Sequence, residues 1–149
     1  MEKLQLLLEQ VIGLEKADKG NIQIYNLLEG GLKIVAQAGF DDSFLKHFSW
    51  VKPFDTSACG RAFGIGITVA INDVEEDIAF KTNRQAAKDA GFRSVKSVPV
   101  FGKNDKCIGI VSTHFKEPKR NWETLNLTNI LPEIALELEL LQNKLNLVS

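Results

Sequence analysis

The order of segments along the chain constrains its fold more than any single motif does. An apolar amphipathic helix is followed by the strand GNIQIYNL, a glycine turn and a second strand ending VAQAGF. Then come SACGRAFGIG, INDV, AGFRSVKSVPVF and CIGIVSTHF, and a long apolar helical stretch closes the sequence. Helices at both ends with hairpins between them predict an α+β chain whose strands pair antiparallel.

In the first helix, expected over residues 1–16, Leu4, Leu8 and Val11 recur at steps of four and three. Leu7 and Leu14 extend this apolar stripe, which must pack on something. The first strand alternates Asn21, Gln23 and Tyr25 against Ile22 and Ile24, the period of a half-buried antiparallel strand. Glu29, Gly30 and Gly31 allow a tight reversal into a second strand where Leu32, Ile34, Ala36 and Ala38 are expected to share a face.

Short helices and loops are predicted for the middle of the chain. Asp41 or Asp42 can cap a helix carrying Phe44, Leu45 and Phe48. Thr56 or Ser57 can cap another that runs to Phe63 before Gly64. A short strand is expected at 67–71. Thr82 and Gln85 form a capping-box pattern for a helix at 83–90, with Gly91 fitting the left-handed position after it. Strands at 94–101 and 107–115, joined by Gly102, Lys103, Asn104 and Asp105, form a second hairpin.

The C-terminal helix, expected over 122–147, carries Leu127, Leu131, Ile134, Leu138, Leu141 and Leu145 at alternating steps of four and three. That heptad seam suits either a contact with the same helix of a second subunit or coverage of the chain's own sheet. Leu136, Leu140 and Val148 widen the apolar surface enough to serve both. Pro132 costs about 3 kcal/mol in a helix interior unless a kink absorbs it, so a bend is expected near Thr128.

Composition excludes several function classes. Lys and Arg total 18 against 19 Asp and Glu, so no strong field draws the chain to nucleic acid or to an acidic membrane surface. The N-terminal apolar stretch is too short and interrupted for a membrane span and lacks the flanks of a signal peptide. Cys59 and Cys107 lie far apart with no metal-ligand spacing, which fits reduced thiols in a cytoplasmic protein. No repeat or linker divides the chain, so 1–149 reads as one domain, with the sheet and pocket region at 19–115.

Taken in order, ADKGNIQIYN, LKIVAQAGFDDSFLKHF, SACGRAFGIG, INDVEED with Phe80 three residues on, AGFRSV and IGIVSTHFKEP resemble the GAF domains found beside bacterial histidine kinases. The resemblance covers nearly the whole chain. It implies a PAS- or profilin-like antiparallel sheet of five or six strands, with terminal helices on one face and short helices and loops roofing a pocket on the other.

Strand periodicity places Ile108, Ile110, Ser112 and His114 on one face of the last strand, and Cys107, Val111, Thr113 and Phe115 on the other. In phytochromes, which are built on a related GAF domain, the histidine at the place similar to His114 faces the bilin. The strand before it contributes short polar side chains near the place of Ser97. By that resemblance Val95, Ser97, Pro99, Ser112 and His114 form the floor. Asn83 and Ala86 form the roof, and Trp50, Phe80 and the turn from Ser57 through Ala58 to Cys59 form walls. Each also has a structural reading: His114 as a hydrogen-bonded strand-end residue, Trp50 and Phe80 as core fillers, Cys59 as a small buried hydrophobe.

Departures from better-defined GAF groups narrow the ligand. Covalent bilin attachment is not expected, because Thr82 and Asn83 stand where such members carry a cysteine beside a histidine. The signature of cyclic-nucleotide-binding members is not found. The three grouped cysteines of free-methionine-sulfoxide reductases are not reproduced by two isolated ones. Haem would need an axial histidine, for which only His47 and His114 are available. The cofactor is left unknown and no metal is expected.

GRAFGIG lacks the context of a phosphate loop, and the acid pairs Asp41-Asp42 and Glu75-Glu76 lie in turns. The expected function is therefore a non-catalytic sensory module that binds a small molecule, signals through its terminal helices across a homodimer, and acts on a histidine kinase or another output. The alternative is a ligand-free dimerisation or scaffold domain; a Cys59-dependent redox activity stands behind both.

Overall fold

The computed structural model describes residues 2–122 and 127–145. Helix α1 (Glu2–Glu15) leads into β1 (Lys19–Asn26), β2 (Gly31–Ala38), α2 (Asp42–His47), α3 (Ala58–Ile65), β3 (Val69–Ile71), α4 (Arg84–Ala90), β4 (Ser94–Phe101), β5 (Cys107–Phe115) and α5 (Leu131–Lys144). The strands form one antiparallel sheet in the order β2-β1-β5-β4-β3.

Each face of the sheet carries its own core. On one, Leu4, Leu7, Leu8 and Val11 of α1 and Ile134, Ala135 and Leu138 of α5 pack on Ile22, Ile24, Val100 and Val111. On the other, Phe40, Phe44, Phe48, Ala62, Phe80, Ala87 and Phe92 pack on Leu32, Ile71, Val95 and Ile110. The terminal helices thus share one face and the short helices the other, as the resemblance implied.

Covering both faces changes what alternation means for β1. Ile22 and Ile24 meet the terminal helices, yet Asn21 and Gln23 on the opposite face are also buried, at 4% and 1% exposure. A polar-alternating strand normally turns that side to water; here the short helices close over it.

Two irregularities break the faces expected from strict alternation. The β1–β2 register shifts between Ile22 and Gln23, and Val35 is the unpaired residue opposite. Leu32 and Ile34 therefore join the short-helix core, whereas Ala36 and Ala38 join the terminal-helix core. A second shift, between Val100 and Phe101, leaves Ile108 unpaired on β5. Ile108 consequently packs with the terminal helices, away from Ile110. An extra residue in one strand reverses the facing of everything on its far side.

At the helix ends the sequence signals hold in part. Asp41 and Ser57 are the N-caps of α2 and α3, accepting from the backbone N–H of Phe44 and Gly60. Helix α3 runs past Gly64 and ends at Gly66, whose φ of 74° supplies the left-handed cap. The capping box at Thr82 and Gln85 does not form. Residues Lys81–Asn83 make a 3-10 turn ahead of α4, and the Thr82 hydroxyl instead meets that of Thr56 at 3.0 Å.

The terminal helices also differ from expectation. Leu14 is 50% exposed while Glu15 is buried at 6%, because Glu15 turns inward to an ion pair with Lys96. Helix α5 begins at Leu131, so Pro132 sits in its first turn, where no intrahelical donor is lost and no bend is required. The expected kink near Thr128 is replaced by a helix start, and Leu127 belongs to the segment before it. Val148 and the last residues of the expected 122–147 helix lie outside the described residues.

Candidate functional site

Under the short helices, on the sheet face carrying Asn21 and Gln23, lies a small cavity. Its floor is set by strand register. Asn21 of β1 faces Ser112 of β5, which faces Ser97 of β4; in the next row His114 faces Val95. Alternation points these side chains to one side, and Gln23 follows Asn21 on the same face of β1. The Ser97 and Ser112 hydroxyls bond each other at 2.7 Å.

The roof comes from Phe44 and Phe48 of α2, from Ser57, Ala58 and Cys59 at the start of α3, and from Phe80 and Phe92. The capping of α3 is what brings its first turn over the floor. Ser57 accepts from the Gly60 N–H at 3.0 Å and donates to Asp55 Oδ1 at 2.5 Å. Its hydroxyl also lies 3.3 Å from Cys59 Sγ.

Phe44, Phe48, Phe80 and Phe92 fill most of the space, leaving a cavity of about 20 Å³. That is room for about one water molecule. The residues described as lining it are apolar or neutral and polar.

Burial governs the titratable groups here. His114 is 4% exposed, and its ring packs edge-on against Phe40 and Phe92 at centroid distances of 4.8 and 4.7 Å. Removal from water pushes its pKa down to about 3; a hydrogen bond to the Lys19 backbone raises it, and the Lys19 charge lowers it further. The imidazole is neutral at physiological pH. Burial likewise raises the Cys59 pKa, with Asp55 adding to the effect against hydrogen bonds from Ser57, Gln23 and the Gly60 backbone. Cys59 is a thiol rather than a poised thiolate.

Three lining side chains carry buried atoms with no hydrogen-bond partner among the described residues: Asn21 Oδ1, Gln23 Oε1 and His114 Nδ1. Buried polar atoms are nearly always satisfied, and leaving one unpaired costs about 1–3 kcal/mol. Their convergence on one cavity is the most informative feature of the site.

Of the residues expected to form the site, Ser57, Cys59, Phe80, Val95, Ser97, Ser112 and His114 line the cavity. Trp50 does not: it is 43% exposed, and its ring lies over Gly31, where a Cβ would fall 2.1 Å from Nε1. Ala86 borders a separate external groove with Asp41, His47 and Thr82. Pro99 is buried on β4 but not among the lining residues.

Asn83 stands behind the roof as part of a latch. Its Oδ1 lies 3.1 Å from His47 Nε2 and its amide donates to Thr56 Oγ1 at 3.3 Å. With the Thr56–Thr82 contact, these bonds join α2, the loop before α3 and the turn before α4 above the cavity.

Sequence reasoning missed Asn21, Gln23, Phe44, Phe48 and Phe92 as lining residues. The signal for the first two was present in the alternation of β1. It was hidden because the same pattern describes a strand with one wet face.

Among the described residues no group of acidic, histidine and cysteine side chains could hold a metal ion, and no helix is long and apolar enough to cross a membrane. Both cysteines are free thiols.

No family model matches the chain, and no curated protein matches it. Solved structures do. The GAF domain of an Acinetobacter phosphoenolpyruvate-protein phosphotransferase superposes with a TM-score of 0.75 at 16% identity, over 96% of this chain and 84% of that one. A domain of a two-component sensor histidine kinase protein from Sinorhizobium meliloti 1021 gives 0.73 at 13% identity, over 97% and 94%. A type II free methionine-R-sulfoxide reductase from Thermoplasma acidophilum gives 0.72 at 17% identity, over 93% and 90%. Likeness at these identities establishes the fold, which is that of GAF domains. Signalling proteins and an enzyme share it, so fold alone does not separate those activities.

Proposed function

We propose that this GAF-fold chain is a non-catalytic, cytoplasmic sensory module: a small molecule binds between the sheet and α2 and α3, and the terminal helices carry the signal across a homodimer to an output such as a histidine kinase. The observation that carries this reading is the set of buried, unpaired atoms on Asn21, Gln23 and His114 around one cavity. Such atoms are costly in an empty fold and become satisfied when a polar guest enters. Free thiols at Cys59 and Cys107 suit a reducing compartment.

A route to the helices is present. Val95 and Ser97 face the cavity, and Lys96 between them is ion-paired to Glu15 of α1 on the other side of the sheet. Coupling requires that the guest bind two helix arrangements with different affinity. For the homodimer, Leu136 and Leu140, each 54% exposed, give α5 an apolar outer face beside the inner one that covers the sheet.

The small size of the cavity supports a second reading, a scaffold whose pocket is filled by its own phenylalanines. Native mass spectrometry of the purified protein separates the two. A dimer with a discrete extra mass lost on denaturation supports the sensor. A dimer at bare polypeptide mass that takes up no small molecule supports the scaffold, and a monomer in which L136E/L140E changes nothing removes the helix-mediated dimer from both.

A further inference from the structure

The unpaired polar atoms of the cavity lie on three buried side chains. Asn21 Oδ1 and Gln23 Oε1 are carbonyl acceptors and His114 Nδ1 is a ring nitrogen, and all three belong to side chains no more than 4% exposed. Nδ1 of the neutral imidazole accepts a hydrogen bond in one ring tautomer and donates one in the other. On the donor side, Ser97 and Ser112 share one bond at 2.7 Å, which leaves one hydroxyl proton of the pair to give, and the Asn21 and Gln23 amides carry NH2 donors of their own. A guest that completes this set brings N–H or O–H donors for the two amide oxygens and an acceptor for the serine and amide protons.

Charge narrows it further. The residues described as lining the cavity carry no formal charge at neutral pH, so a buried ion would be unpaired at great cost. Asp55, held by the Ser57 hydroxyl, sets a negative field at the Cys59 end. Lys19 sets a positive one at the His114 end. Neither sign of ion is welcome at both ends, whereas a dipolar neutral molecule is. The aromatic walls of Phe44, Phe48, Phe80 and Phe92 suit a flat guest, and the small free volume suits one of few atoms, admitted as a ring turns aside.

We propose that this pocket is selective for small neutral amides, the urea and primary-carboxamide class, over oxyanions of the same shape. The proposal rests on the ligand-binding reading above and specifies its chemistry. The amide N–H groups would meet Asn21, Gln23 and His114, and the amide carbonyl would take the spare serine proton.

Isosteric pairs test it directly: urea against nitrate, formamide against formate, acetamide against acetate. Each is titrated at matched millimolar concentration into isotopically labelled protein and followed by backbone amide NMR. The expected result is saturable shifts confined to β1, β4, β5 and the start of α3 with the amides, and affinities on the order of tenfold or more weaker for the oxyanions. Q23M removes one orphan acceptor without removing volume, and should fold while weakening amide binding by about tenfold.

Saturable oxyanion binding at the same residues, equal to or tighter than that of the amides, would overturn the amide proposal and leave the sensory reading standing. Shifts scattered over the surface, or binding indifferent to Q23M, would overturn it as well. If neither member of any pair binds, the proposal fails. If the purified protein then also shows bare polypeptide mass, the sensory reading falls with it.

Discussion

Lys96 and Glu15 form an ion pair on the face of the sheet opposite the cavity, with side chains 10% and 4% exposed. Both charges are held out of water, so each depends on the other for compensation. The pair's flanks give it significance: Val95 and Ser97, the residues on either side of Lys96, line the cavity. One residue of β4 therefore separates a pocket contact from an attachment to the terminal helices.

Removing one member should cost far more than removing both. E15Q leaves the Lys96 ammonium buried without its counter-charge, and the expected loss is about 3–5 kcal/mol in urea unfolding. E15L/K96M should recover most of that loss, because two desolvated charges are replaced by apolar volume. Equal destabilisation in the single and the double variant would show that packing, not charge, holds α1 to β4 here.

His114 gives the chain an acid-sensitive term. Its folded pKa of about 3 lies below the ordinary 6.5, so between those values the unfolded chain binds a proton that the folded chain refuses. Stability from this group is complete above pH 6.5 and is lost as pH falls toward 3, by on the order of 5 kcal/mol in all. Chemical denaturation at stepped pH from 7 to 4.5 should show this slope, and H114Q should flatten it. An unchanged slope in H114Q would assign the acid sensitivity to other groups.

Much of the fold was legible because its signals are local. Asp41, Ser57 and Gly91 cap the helices where their residue types allow, and the strands of the second hairpin end at the turn formers between Phe101 and Cys107. What alternation could not carry was the bulges. Val35 and Ile108 are ordinary strand residues whose unpaired positions depend on how two strands meet, so Ile34 and Ala36 part company with no mark in the sequence. The floor residues of β4 and β5 lie beyond the irregular pairs and kept their expected faces. Asn21 and Gln23 escaped for a different reason: whether a polar strand face meets water or a roof is decided by α2 and α3, elements well separated from β1 in the chain. Trp50 was placed among the walls by the resemblance, but the space beside Gly31 claimed it.

Gly109 allows α5 to lie against the sheet. A Cβ there would fall 2.3 Å from the Gln23 carbonyl oxygen and 2.7 Å from Leu138 Cδ1. The first neighbour is backbone in an adjacent strand and cannot move without disturbing the β1–β5 pairing that positions Gln23. G109A is expected to cost at least about 2 kcal/mol by thermal or chemical unfolding, as overpacking of a close approach does. A loss near zero would mean that β1 and β5 can separate locally without penalty.

The latch of His47, Asn83, Thr56 and Thr82 offers a way to open the roof without touching the floor. Asn83 is its hub, contacting both His47 and Thr56, and it lies outside the cavity lining. N83A removes two bonds that join separate roof segments, each worth about 0.5–1.5 kcal/mol. The closed roof buries Cys59 at 9% exposure, and burial also holds its thiol protonated, so alkylation of Cys59 reports roof opening. In a C107A background, N83A should raise the Cys59 alkylation rate by about tenfold at fixed pH, while the unfolding midpoint falls only modestly. A guest that fills the cavity should slow the reaction in both proteins, since occupancy favours the closed roof. If N83A leaves the rate unchanged, access to Cys59 follows global unfolding and the latch does not gate the pocket. If the rate rises only as far as the lost global stability accounts for, the same conclusion holds. The discriminating quantity is therefore the labelling rate set against the unfolding free energy of the same variant, measured under the same conditions.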